Sequence, residues 1–125
     1  MRKTIALLAA ALAAMIVTSW QSPGAQARTP YDGLWSVSVI TDSGTCDRGY
    51  RYALRIIDGH VTYDNPDVDV SGQVNPRGRV NVVVRYGGEV ASGSGQLYRD
   101  WGEGRWIGRS ATSECAGHWQ AERRG

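Results

Sequence analysis

Apolar and polar residues alternate along most of this chain from residue 34 onward. Trp35, Val37 and Val39 face one way and Ser36 and Ser38 the other, which predicts a half-buried first strand over Leu34 to Thr41. Asp42 to Asp47 carries turn chemistry. Tyr50 to Ile57 is the second strand, with Tyr50, Tyr52, Leu54 and Ile56 opposing Arg51, Ala53 and Arg55. Asp58-Gly59 is a two-residue hairpin signal. The third strand, His60 to Tyr63, turns Val61 and Tyr63 inward and ends at Asp64-Asn65-Pro66. Val68 to Val74 is the fourth strand, followed by the turn Asn75-Pro76-Arg77-Gly78. The fifth sets Val80, Val82 and Val84 against Arg79, Asn81 and Arg85, and Gly87-Gly88 turns it.

Three further strands complete the pattern. Val90 to Tyr98 has an ambiguous phase, because Ala91, Gly93, Gly95 and Leu97 oppose Val90, Ser92, Ser94, Gln96 and Tyr98. Glycine inside a strand marks a bend or a close backbone approach. Arg99 to Gly104 reads as a turn. Arg105 to Ser110 follows, with Trp106 and Gly108 inward. Cys115 to Glu122 is last, with Gly117, Trp119 and Ala121 opposite His118 and Gln120. No segment from residue 28 onward shows a helical apolar period.

The prediction is an all-β domain: a single eight-stranded antiparallel up-and-down barrel. An open meander exposes two edges, and closing the first strand onto the eighth removes them. Two cysteines test the strand count. Cys46 follows the top of the first strand and Cys115 begins the eighth, so an even count brings both to the top of the closing seam. A Cys46–Cys115 disulfide would close a loop of about seventy residues. At the other end of the seam, Trp35 meets Arg123 and Arg124, either of which can stack its guanidinium on the indole.

Composition changes the picture mainly at the N-terminus. Arg2 and Lys3 precede an uncharged apolar run through Val17, and Ala25-Gln26-Ala27 fits the small-x-small cleavage rule. Residues 1–27 therefore read as a secretory signal peptide and residues 28–125 as the barrel domain. The apolar run is short for a bilayer span, so no membrane span is expected after cleavage. Removing Arg2 and Lys3 leaves twelve arginines against twelve acidic residues. That neutral balance argues against nucleic acid as a partner. The expected location is exported, periplasmic or secreted, where a disulfide persists.

Gly33-x-Trp35 on the first strand, with Arg123 or Arg124 after the last, resembles the calycin superfamily, the lipocalins and avidins. The strand count and size look closest to the avidin-like branch. The resemblance implies a ligand-holding barrel with Trp35 and a terminal arginine as structural residues. The lipocalins' other motifs are absent, and an avidin biotin-binding set does not match residue by residue, so biotin is not carried over. A family of small exported bacterial metalloprotease inhibitors, also an eight-stranded barrel with one disulfide, is similar in size and compartment but not in motif.

Candidate chemistry is sparse. Asp67-x-Asp69-x-Ser71-Gly72 imitates the start of a calcium loop, but Gly78 stands where the bidentate Glu belongs. His60 and His118 lack a third partner for zinc. Ser92-Gly93-Ser94-Gly95 is not a nucleophile elbow, and the glycines match neither a dinucleotide nor a phosphate loop. No catalytic residue, metal site or cofactor is assigned, and the chain is read as a non-enzyme.

The aromatics carry more. Trp35, Tyr50, Tyr52, Tyr63, Trp106 and Trp119 fall on the predicted inner face. An eight-stranded interior is about as wide as its side chains fill, which favours a solid core. The alternative is an aromatic pocket at one mouth, with Gly93, Gly95, Gly108 and Gly117 leaving room on one side. The leading expectation for function is a small exported binding protein holding an unknown small or apolar molecule near Tyr50, Tyr52 and Trp106. The alternatives are a protein-binding module, such as a protease inhibitor acting through its loops, Trp101 or a free leader over Arg28 to Asp32, and a structural envelope protein with a solid core.

Overall fold

The computed structural model describes residues 29–125. The signal-peptide reading of residues 1–27 lies outside the described residues. Eight strands follow in order: β1 (Gly33–Ser43), β2 (Gly49–Ile57), β3 (His60–Thr62), β4 (Asp69–Val74), β5 (Arg79–Tyr86), β6 (Glu89–Leu97), β7 (Trp101–Arg109) and β8 (Glu114–Arg123). Each pairs antiparallel with its sequence neighbour, and β1 pairs with β8, so the sheet closes into a barrel. The described residues include no helix long and apolar enough to cross a membrane.

The register settles the phase of β6. Gly93 lies opposite Val82 and Trp106, and Leu97 opposite Gly102, so Ala91, Gly93, Gly95 and Leu97 face inward. One predicted boundary moves substantially. β7 begins at Trp101, not Arg105, and the turn before it is closed by the Tyr98 amide donating to the Trp101 carbonyl at 2.7 Å. Gly102 and Gly104 looked like turn residues. They are strand residues whose inward positions are taken by Leu97 and by the Trp119 indole, where a Cβ would collide. His60 opens β3, as the alternation predicts, and pairs with Gln73. β3 is short, and that pair is its one registered partnership with β4.

The buried core sits at the lower end of the barrel. Trp35 is 1 % exposed and packs with Ile56, Val61, Val74, Val80, Leu97 and Ala121. Gly33 precedes it with φ of 137°, and the Gly125 carbonyl lies where a Cβ would project. Only glycine fits such a position. The chain's last residues then close the floor: the Leu34 amide donates to the Gly125 carbonyl at 2.9 Å, and the Arg124 amide to the Leu34 carbonyl at 2.7 Å.

Arg123 is the side chain that clamps this floor. Its guanidinium carbon stands 4.7 Å from the Trp35 ring centroid. Its nitrogens donate to the carbonyls of Asp32 at 2.7 Å, Pro30 at 2.6 Å and Arg99 at 3.2 Å. The Trp35 indole N–H donates to the Tyr31 carbonyl at 2.9 Å. Arg124 points away and reaches Glu122 at 3.2 Å on the surface. The two arginines are therefore not equivalent, because side chains alternate along a strand and only Arg123 falls on the Trp35 side.

These contacts also fix the segment before β1, which is not the free leader expected. Asp32 accepts bonds from the Thr29 hydroxyl at 2.6 Å and from the amides of Asp58 and Gly59 at 2.8 and 3.1 Å. It thus ties the leader to the β2–β3 turn, where Asp58 and Gly59 both have positive φ. At the top of the seam, Cys46 and Cys115 form the disulfide, with Cα atoms 6.1 Å apart across a separation of 69 residues. Loop-closure entropy on that span is worth about 4 kcal/mol.

Two outcomes follow. Arg123→Leu is expected to lower urea-unfolding stability by about 2–3 kcal/mol, because three carbonyls lose a charged donor and the indole loses its cation. Arg124→Leu should change it by less than about 0.5 kcal/mol. For Asp32, partial burial pushes the carboxyl pKa up, but the bonds from Thr29, Gly59 and Asp58 outweigh it and leave the pKa below 3.8. Its stabilising contribution is present above the unfolded-state value and lost as pH falls through the lower folded value. Thermal melts should therefore show Asp32→Asn less stable than the wild type at pH 7, with the gap narrowing below pH 3.8.

Candidate functional site

Above the Trp35 floor the interior is not filled. A cavity of about 520 Å³ opens toward the end of the barrel that carries the disulfide. The expectation of a solid core holds for the lower half alone. The reason lies in where the aromatic side chains go. Trp35 drops to the floor, the tyrosines stand at the mouth, and Trp106 and Trp119 lie against the wall. The middle is left to residues as small as Val39, Val70, Val82, Val84 and Gly93.

Each aromatic position has a local cause. Tyr50 and Tyr52 share the inner face of β2, two residues apart, with ring centroids 6.0 Å apart. Tyr63 follows β3 and meets Tyr52 edge-on at 5.8 Å. Tyr50 is 40 % exposed and forms the rim, where its hydroxyl donates to the Asp47 carboxylate at 3.1 Å. Desolvation raises the Tyr50 pKa, and Asp47 adds to it. Desolvation also raises that of Tyr52, with Tyr63 and Glu89 adding to it. Both hydroxyls therefore stay protonated and can donate hydrogen bonds.

On the facing wall, the Trp106 indole N–H donates to the Ile40 carbonyl at 3.0 Å and that of Trp119 to the Ser94 carbonyl at 3.2 Å. Among the described residues no polar or charged residue is buried, and no buried side-chain nitrogen or oxygen lacks a partner. Glu89, Arg109, Ser110 and Ser113 border the cavity at its mouth. The deep part is thus a hydrocarbon and aromatic surface. Such a surface holds a molecule by excluding water, and it supplies no nucleophile, acid or base.

Tyr50, Tyr52 and Trp106, the three residues singled out from the alternation, line this one cavity. Sequence reasoning put Trp119 on the inner face but left it out of the ligand-binding set, and it assigned neither Val82 nor Val84 to a site. The signal that could have found them was the run of inward glycines on β6, β7 and β8, which needs large partners to pack against. The other candidates lie elsewhere. His118 faces outward, with Nδ1 2.7 Å from an Asp42 carboxylate oxygen. His60 and Asp69 are exposed on the outer surface. No three His, Cys, Asp or Glu side chains gather to hold a metal among the described residues. Trp101 starts β7 and stacks on Tyr98 with centroids 4.4 Å apart, at the floor end. Comparison of the chain with protein-family models, curated proteins and solved structures finds no match.

Proposed function

We propose that this protein is an exported, non-enzymatic binding protein that takes one small apolar molecule into the cup above Trp35. The observation that carries the reading is the 520 Å³ cavity, open at one end and lined in depth by aliphatic side chains and by indoles whose N–H groups are already bonded. Its volume falls within the range of single small-molecule sites. The closed barrel with Arg123 over Trp35 is consistent with the arrangement that the calycin resemblance implies, and it supports a reading in which the ligand enters at the open end. The disulfide fits an oxidising compartment and hence export. A protein-binding role draws its support from the exposed Tyr98–Trp101 pair, since the leader is tied down.

Titration with the neutral probe N-phenyl-1-naphthylamine tests the reading. The expected result is saturable probe fluorescence with quenching of tryptophan emission. Gly93→Leu supplies the control. A Cβ at Gly93 meets its nearest neighbour at 3.5 Å, so the strand accepts a side chain, and the rest of a leucine grows into the cavity. The variant should keep the wild-type melting profile and weaken probe binding at least about tenfold, a loss near 1.4 kcal/mol. Probe binding unchanged by Gly93→Leu places the ligand outside the cup and contradicts the proposal.

A further inference from the structure

The two indoles of the cavity wall are each held against glycine backbone and tied at the ring N–H. Trp119 lies across Gly95 and Gly104, where a Cβ on either strand would run into its six-membered ring. Trp106 lies across Gly108 and Gly117, where such atoms would stand 3.1 Å from Cζ3 and 2.8 Å from Nε1. The ring N–H groups are bonded to backbone carbonyls, which fixes rotation within the plane. Both indoles line the cavity, and Trp106 is the more open of the two, since Trp119 is 8 % exposed. The aliphatic side chains of β4 and β5, Val70, Val82 and Val84, complete the space.

This arrangement favours one shape of ligand. Aromatic faces attract a planar ring at offset-stacked geometry beyond simple area burial. A flexible chain of equal size gains the burial alone and loses rotamer freedom when confined. A polar group placed deep in the cup would find no partner, because both indole N–H groups are already used. The hydroxyls of Tyr52 and Tyr63 offer partners nearer the mouth.

Resting on the cup reading above, we infer that the ligand's buried part is a flat, uncharged ring system stacked on Trp106, with its hydrogen-bonding group turned outward to Tyr52 and Tyr63. Calorimetric titration with 2-naphthol and 1-decanol tests it. These are neutral alcohols of equal heavy-atom count, one planar and one a chain. Naphthol is expected to bind about tenfold more tightly, the scale of one or two aromatic contacts. In Trp106→Leu the aromatic face is lost while an apolar side chain remains, and the preference for naphthol should shrink while far-ultraviolet circular dichroism shows an intact fold. Decanol binding as well as or better than naphthol overturns the ring assignment and leaves the cup reading standing. Binding of neither overturns both. A naphthol preference unaltered in folded Trp106→Leu removes Trp106 as its source and overturns the assignment.

Discussion

The pairing of β1 with β8 is the constraint on which the rest of this structure depends. Without it the sheet is a meander with two unpaired edges and no enclosed interior. The ladder between them runs from Trp35 opposite Arg123 to Ser43 opposite Ala116, with a bulge between Thr41 and Ser43. Each end of that ladder carries its own fastening. At the floor a cation sits on an indole and gathers carbonyls from the leader and the β6–β7 turn. At the top a covalent bond joins the β1–β2 loop to β8. The fastenings differ in kind for a physical reason. The floor is dry enough for a charge-assisted network to count, whereas the open top has little apolar material to hold it.

Closure also decides how the interior is used. Three adjacent strands, β6, β7 and β8, carry glycine at inward positions, which costs conformational entropy in a strand. The indoles of Trp106 and Trp119 occupy the space those glycines vacate. Both rings stay close to the wall, and the centre of the barrel stays open. The lower half, with its fully buried Trp35, provides the rigid base that holds the cup's shape.

Much of the fold was legible because period-two alternation survives in most strands, and the cysteine positions fit only an even strand count. Trp35 and Arg123 were legible as a pair by topology. The choice between Arg123 and Arg124 was not, since it depends on the register of β1 against β8. Turn chemistry misled at Gly102 and Gly104, whose role is set by Leu97 and Trp119, distant in sequence or across a strand pair. The cavity was hidden for the same reason. Counting inward aromatics suggests a filled barrel, and only their contacts show that Trp106 and Trp119 stay against the glycine-lined wall. Tyr50, Tyr52 and Trp106 were readable individually. Their convergence on one space required the closed ring of strands.

An apolar cup stands open above a solid floor, and xenon is its most direct probe, because the gas enters unfilled apolar cavities. A crystal of the protein pressurised with xenon should show the gas between Trp106, Trp119 and Val82. Crystals with no xenon inside the barrel, and side chains filling that volume, would contradict the account.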